Sequence, residues 1–212
     1  MTAIAPPTTP TGTVVRRARI GTAGAVLWTL SSGVWAASDL EDQPYGSLTF
    51  VAVAVAWWIC MVVAPMLLVV GHSALAAVLR PTTGRVGRAG VATAAAGLAA
   101  MGIGIGIEVA SMSAGGGEVS AGHAILLAGF VVALLGGLVT GITVIRRLTD
   151  PATKVGGWLL VLALPLGIGV GVLGSMLAPE NDAVFWAVLT LPTGIAWILL
   201  GRSLTGTASA VR

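Results

Sequence analysis

Six long apolar runs, separated by short polar segments, dominate the chain. Each run is long enough to cross the roughly 30 Å hydrocarbon core of a bilayer as a helix. Backbone polar groups in lipid must be paired within the segment, so the runs predict helices, whereas a β-barrel would show alternating segments of about 10 residues. The runs cover residues 20–37, 47–70, 89–112, 123–145, 155–178 and 183–200.

The pattern predicts an all-α fold, a polytopic transmembrane bundle of six helices over residues 16–204. A proline- and threonine-rich segment, residues 1–15, is predicted to be a disordered tail, and residues 205–212 form a second tail. A continuation of the second helix past residue 70 towards Leu79 is left open. The first run also fits a signal peptide, but it is longer than the usual apolar core of about 7–15 residues, which favours a retained helix.

Composition supports the same reading and excludes a soluble domain. Hydrophobic residues make up 56% of the chain and charged residues 9%, with a mean hydropathy of +0.98, whereas soluble domains are about 25% charged. The net charge of +3 would suggest a nucleic-acid partner only if the basic residues shared one face of a folded soluble domain. The predicted partners are therefore the lipid bilayer and either a membrane protein or an apolar small molecule, without nucleic acid.

The basic residues test the topology independently of hydropathy, because loops that stay in the cytoplasm accumulate lysine and arginine. All eleven fall on one side of the predicted membrane, and the opposite loops hold most of the acids. This segregation predicts an even number of spans, a location in the cytoplasmic membrane and both termini in the cytoplasm. The basic residues are Arg16, Arg17, Arg19, Arg80, Arg85, Arg88, Arg146, Arg147, Lys154, Arg202 and Arg212.

Glu108 is the first candidate for chemistry, since an acid inside a transmembrane run is costly and commonly faces a bundle interior or a water cavity. Gly104 and Ser111 lie about one turn before and after it, which gives this helix face a small and polar character. Glu108, with Ser111, is thus predicted to bind a ligand or a proton. The alternative is that Glu108 lies near the helix end and its carboxylate reaches the interface by snorkelling.

His123 opens the fourth run on the same side of the membrane as Glu108, so the two side chains are predicted to be able to approach. Together they could form a proton relay, but metal-ligand spacings and cofactor motifs are missing, and the prediction is no metal and no cofactor. His72 is interpreted as a residue at the cytoplasmic end of the second helix. The tryptophans are expected mostly towards helix ends or mid-helix, and several fit an interfacial belt.

Glycines four residues apart form small-xxx-small pairs that let helix backbones approach closely. The predicted helix-packing positions are Gly102, Gly106, Gly137, Gly141, Gly167 and Gly171. Pro65, Pro165 and Pro192 fall inside predicted helices, where each removes a backbone hydrogen bond and is expected to bend the helix.

Several of these features together resemble small six-helix membrane proteins of high-GC actinobacteria, a loosely defined group with no assigned activity. The resemblance covers about half to two thirds of the chain. It implies the bundle architecture and no particular function. The features are RVGRAG at residues 85–90, Glu108 near a helix end, Gly157-Trp158 behind a basic loop, and WILLGR at residues 197–202.

The sequence contains no Walker motif, nucleophile elbow, dinucleotide-binding turn or zinc signature. The leading hypothesis is therefore a non-enzymatic bundle that binds an apolar or amphiphilic small molecule, or a membrane partner, between its helices. Two alternatives stay open. One is a small proton-coupled transporter or exporter that uses Glu108, and the other is a membrane enzyme that acts on a lipid or isoprenoid.

Overall fold

The computed structural model describes residues 11–37, 44, 46–114, 119–177 and 182–209. These residues form seven α-helices and one short π-helix, and no strand occurs among them, which confirms the all-α fold class. The elements are α1 (Gly12–Ala37), α2 (Leu48–Trp58), the π-helix (Ile59–Val63), α3 (Ala64–Leu79), α4 (Arg85–Ser113), α5 (Ser120–Arg147), α6 (Pro151–Leu177) and α7 (Asp182–Ser209).

The helices extend beyond the apolar runs at both ends of the chain. Helix α1 begins at Gly12 and α7 ends at Ser209, so both include residues that the sequence assigned to tails. The predicted disorder of the first tail falls mainly on residues 1–10, which lie outside the described residues.

The predicted second helix is one continuous rod with a change of helix type inside it. Helix α2 runs directly into the π-helix, which runs directly into α3. Pro65 is the second residue of α3 and supplies no N–H, so the wider π turn lies where an α-helical bond would be missing in any case. The rod continues to Leu79, as the sequence had left open.

The helices are arranged as a closed ring, in which α1, α3, α4, α5, α6 and α7 each contact the next and α7 contacts α1. Contacts at two levels show that α7 and α1 are antiparallel, because Thr22 faces Gly201 and Thr29 faces Gly194. Contacts at two levels also show that α1 is antiparallel to α3, and that α5 is antiparallel to both α4 and α6. Neighbouring helices therefore alternate in direction around the ring.

Two glycine heptads form the closest helix pair. Glycines repeat every seven residues on α4, at Gly90, Gly97 and Gly104, and they face α5 throughout. A Cβ added to Gly97 would lie 2.6 Å from the carbonyl oxygen of Gly129, so backbone meets backbone at this level. The matching glycines on α5 are Gly122, Gly129 and Gly136.

The glycines predicted as packing positions behave differently from one another. Gly102 faces the side chain of Met66 on α3, and Gly141 faces the backbone of Gly157 on α6, so both lie at close approaches. A Cβ added to Gly106 or Gly137 would meet none of the described atoms within 4 Å. These two positions are not close crossings, because their open sides face away from the tight seam. Gly167 is buried in α6, and the surroundings of Gly171 lie outside the described residues.

Large apolar side chains on the outer surface indicate a lipid environment. Leu30, Val131 and Ile168 are each more than half exposed, and every ring helix except α3 carries exposed large apolar side chains. An exposed apolar surface of this extent is typical of a protein surface that faces a membrane or a partner protein. Within the part of the chain that the structure describes, four segments are long and apolar enough to cross a bilayer, namely Ile59–Leu79, Arg85–Ser111, Ser120–Arg147 and Pro151–Val170.

The described lysines and arginines all lie at one end of the ring, which is called the basic end below. This follows from the alternating helix directions, since these residues occupy the starts of α1, α4 and α6, the residue after α3, the last turn of α5, and a position about two turns before the end of α7. Their side chains are all exposed. The segregation seen along the sequence is therefore also a segregation in space.

Candidate functional site

A cavity lies at the centre of the ring, at the middle level of the helices. Its lining comes from α1, α3, α4, α5, α6 and α7, so all members of the ring contribute. Leucine, methionine, alanine and phenylalanine side chains form most of the wall. The remaining lining includes Trp28, His72, Gly137, Thr193 and Trp197. An apolar cavity with a few polar groups is the usual form of a small-molecule site.

The cavity is large enough for more than water. Its volume is about 40 Å³, whereas one water molecule takes up roughly 30 Å³ in the liquid. The cavity therefore has room for a group slightly larger than one water molecule.

His72 is the most polar group of the lining, and its position corrects the sequence interpretation. It was interpreted as a residue at a helix end, yet it is 2% exposed and lies two turns before the end of α3. Its Nδ1 is 2.9 Å from the carbonyl oxygen of Leu68, and its ring centroid is 3.9 Å from that of Trp197. The apolar run ended at residue 70 because the next residues lower the hydropathy, although the helix continues.

Trp28 and Trp197 do not belong to the interfacial belt that the sequence predicts for several tryptophans. Both are buried and line the central cavity. The indole N–H of Trp28 donates a hydrogen bond of 2.9 Å to the hydroxyl of Thr193. That hydroxyl in turn lies 3.2 Å from the carbonyl oxygen of Thr190. The polar edge of Trp28 is therefore paired across the α1–α7 contact, and its apolar rings remain available to the cavity.

Glu108 and His123 are brought together at the opposite end of the ring from the basic end. Nδ1 of His123 lies 3.1 Å from Oε1 of Glu108, and this contact joins α4 to α5. The Glu108 side chain is 10% exposed and that of His123 is 46% exposed. Glu108 lies against Gly122, so α5 covers it. The carboxylate is thus held in the helix interface, with the imidazole between it and the surface.

The second polar site is separate from the cavity. Ser111 is half-buried one turn beyond Glu108, further from the centre. Met101 lines the cavity on the same helix, and the seven residues from Met101 to Glu108 correspond to about 10 Å along the axis. Glu108 does not line the central cavity. In the described ranges, no three His, Cys, Asp or Glu side chains are placed to hold a metal ion.

The central cavity was not predicted from the sequence, because its lining residues come from six different runs. Trp28, His72, Thr193 and Trp197 have no common spacing along the chain. One signal was available for the neighbouring seam, since both α4 and α5 carry glycine every seven residues. Such a heptad predicts a helix pair in close contact. It fixes one side of the ring but not the cavity inside it.

Comparisons were made with protein-family models, with curated proteins and with solved structures. No family model matches the chain, and neither the curated proteins nor the solved structures include a match. The resemblance to six-helix actinobacterial proteins therefore stays a prediction. The functional argument rests on the cavity and on the Glu108–His123 contact.

Proposed function

We propose that this chain is a membrane-embedded binding protein, and that its central cavity holds a small apolar or amphiphilic molecule. The cavity itself is the observation that carries the proposal. All members of the helix ring line it, its wall is mainly apolar, and His72 and Thr193 supply the polar groups. Relative to water, burial of an apolar ligand in such a cavity is favourable by about 25 cal/mol per Å² of apolar surface.

The proposal includes the arrangement in the membrane. The chain crosses the cytoplasmic membrane six times, with α2, the π-helix and α3 forming one span and with both termini in the cytoplasm. Four segments with sufficient length and apolarity support this arrangement, as does the gathering of the described basic residues at one end. The alternation of helix directions around a closed ring also requires an even number of members.

Filling the cavity tests the binding function. Gly137 lines the cavity and has open space where a Cβ would lie, so Gly137→Leu should fill the void without distorting the helix pair. Gly106→Leu is the matched control, because Gly106 has similar open space on α4 and does not line the cavity.

The measurement is mass spectrometry of small molecules extracted from each protein after purification in lipid nanodiscs. The wild type and Gly106→Leu should carry a compound that Gly137→Leu lacks. Identical extracts from all three proteins would contradict a ligand in the cavity.

A second candidate function is proton-coupled transport, and the Glu108–His123 contact is the observation that favours it. A half-exposed imidazole in contact with a buried carboxylate offers a path for a proton from the surface to that carboxylate. The distance of about 10 Å between Glu108 and the cavity level weighs against direct coupling of the two sites. For this reason binding without transport is preferred.

Transport is tested with the conservative variant Glu108→Gln in proteoliposomes. The variant keeps the shape of the side chain but loses the titratable proton. If the chain is a proton-coupled transporter, a pH gradient should drive uptake or efflux of the co-purified compound in the wild type and not in Glu108→Gln. Equal flux with and without the gradient would exclude this function and leave the binding proposal intact.

A further inference from the structure

The start of α4 and the end of α5 lie side by side at the basic end. A Cβ added to Gly87 would lie 2.9 Å from Cγ2 of Thr143, so these two residues face each other across the antiparallel pair. Two residues further towards the basic end, Arg85 of α4 is level with residue 145 of α5, next to Arg146. Both arginines are exposed. They therefore flank one groove on the outer side of the helix pair, which is called the arginine groove below.

The charges of this groove are not neutralised within the part of the chain that the structure describes. Neither Arg85 nor Arg146 forms a salt bridge there. Asp150 is the only acidic residue that the sequence places at the basic end, and its carboxylate accepts hydrogen bonds from the hydroxyl and the backbone N–H of Thr153. Two exposed guanidinium groups are thus left to bind an anion from outside the chain.

An apolar strip leads away from the arginines along the outer face of α5. Val131, Leu135 and Ile142 are spaced by four and seven residues, so they share one face of the helix, and Arg146 follows one turn after Ile142 on the same face. The exposed fractions of the three apolar residues are 51%, 47% and 38%. The groove therefore combines a charged end with an apolar surface about three turns long.

The two arginines lie at the depth of lipid headgroups in the proposed membrane arrangement. Arg85 is 13 residues before Leu98, and Arg146 is 13 residues after Ala133. Leu98 and Ala133 both line the central cavity, so each arginine is about 20 Å from the cavity level along its helix axis. With the cavity at the bilayer centre, the hydrocarbon core ends about 15 Å away. The guanidinium groups therefore reach the phosphates, and the apolar strip lies in the hydrocarbon.

We propose that the arginine groove binds one anionic phospholipid, whose phosphate lies between Arg85 and Arg146 and whose acyl chain lies along Val131, Leu135 and Ile142. A guanidinium group matches a phosphate with two parallel hydrogen bonds, and basic pockets between membrane helices suit anionic headgroups. The apolar strip selects a lipid over a free phosphate ion, which would leave this surface uncovered. The site is independent of the central cavity and requires only the proposed membrane arrangement.

Two lipids with the same acyl chains test the need for a net negative charge. Phosphatidylglycerol is anionic, whereas phosphatidylcholine carries a cation beside its phosphate. Each lipid is titrated against the purified full chain in a neutral detergent, and native mass spectrometry gives the dissociation constant of the first bound lipid. The wild type should bind phosphatidylglycerol about 25-fold more tightly, because each of two basic residues contributes about fivefold near an anionic headgroup.

Matched double variants separate a local site from the overall charge of the basic end. Arg85→Gln with Arg146→Gln should remove the preference for phosphatidylglycerol. Arg19→Gln with Arg202→Gln removes the same charge from α1 and α7, on the opposite side of the ring, and should keep the preference. Other basic residues remain in the same polar segments, which preserves the topology signal. Unfolding temperatures equal to that of the wild type show that both double variants are folded.

Three results would overturn the lipid site. Equal affinity of the wild type for the two lipids would exclude charge selection, and this comparison does not depend on any variant. An equal loss of preference in both double variants would show a diffuse attraction to the whole basic end. Displacement of phosphatidylglycerol by millimolar inorganic phosphate would make the free anion the ligand. The extracts of Gly137→Leu test the cavity separately, so failure of the lipid site leaves the binding function standing.

Discussion

Trp28 and Thr193 are joined by a hydrogen bond of 2.9 Å from the indole N–H to the hydroxyl oxygen. The bond lies where α7 returns to α1, at the level of the central cavity. It is therefore both a contact that closes the helix ring and a part of the cavity wall. Close packing of threonine against Gly194 and Gly201 supports the same closure on either side.

The bond between Trp28 and Thr193 should show a coupling energy. Thr193→Val leaves a buried indole N–H without an acceptor and is expected to destabilise the protein by about 1 kcal/mol. Trp28→Phe removes the donor but also loses packing, so the loss in the double variant should be smaller than the sum of the two single losses. Thermal unfolding in detergent micelles is measured for all three variants. Strictly additive losses would show that the bond contributes nothing.

Glu108 and His123 should show a measurable coupling energy. In a double-mutant cycle with Glu108→Gln and His123→Gln, we expect a coupling of about 0.5–1 kcal/mol, because the two side chains are in direct contact. The free energy of unfolding is measured for the wild type, both single variants and the double variant. Glu108→Gln combined with Asp150→Asn is the control pair, and it should be additive since the two sites lie at opposite ends of the ring. Additivity of the first pair would contradict the contact.

The glycine heptad should be intolerant of a single methyl group. Gly97→Ala places a Cβ 2.6 Å from a backbone oxygen of α5, so the helices must separate, at a cost of about 1–3 kcal/mol. Gly106→Ala, on the same helix but facing open space, should be neutral or slightly stabilising, since alanine is the better helix former. Unfolding temperatures of the two variants test the contrast. A Gly97→Ala protein as stable as Gly106→Ala would refute the backbone contact.

Asp150 should make a small, pH-dependent contribution at the start of α6. The hydroxyl and the backbone N–H of Thr153 donate hydrogen bonds of 2.7 and 2.9 Å to its carboxylate and lower its pKa below the ordinary value of 3.8. A carboxylate with a lowered pKa stabilises the folded state fully above the ordinary value, and this stabilisation is lost as the pH falls through the lowered pKa.

Variants of Asp150 distinguish the stability that comes from its hydrogen bonds at the N-terminus of α6, its role as helix cap, from the stability that comes from its charge. Asp150→Ala should cost about 1 kcal/mol at neutral pH, whereas Asp150→Asn should retain most of the cap. Between neutral pH and the acid limit of the folded protein, the unfolding temperature of Asp150→Asn should change less than that of the wild type. An identical acid response of these two proteins would show that the charge of Asp150 does not contribute.

The predicted topology can be tested with reporters. Alkaline phosphatase, which is active only outside the cytoplasm, should be active when fused after Glu41 and inactive when fused after Arg212. Green fluorescent protein fused after Arg212 should be fluorescent. These results follow from the segregation of all eleven basic residues. Active phosphatase after Arg212 would refute the six-span arrangement, and a mature protein beginning near Ala37 would establish the signal-peptide alternative.

The fold class could be predicted from the sequence because apolar runs alternate with polar segments, and the basic residues fall in every second polar segment. The helical spans and their alternating directions across the membrane follow from these two patterns alone. The contact between Glu108 and His123 was also foreseeable, since a short loop joins their helices.

The cavity could not be predicted, because it depends on which sides of the helices face inward. The mean hydropathy does not distinguish a leucine facing lipid from one facing the bundle. His72 illustrates this limit. It lowers the local hydropathy and was therefore assigned to a helix end, but it lies in the interior of the bundle. The π-helix before Pro65 was also hidden, because hydropathy does not report helix type.

The paired glycine heptads also restrict how the proposed ligand can enter the central cavity. At the levels of Gly97 and Gly104, the backbones of α4 and α5 interlock, so these two helices cannot slide along each other without breaking the seam. The two helices therefore behave as one rigid unit of the ring. Under the proposed binding function, we expect entry of the ligand to require displacement of other helices relative to this pair.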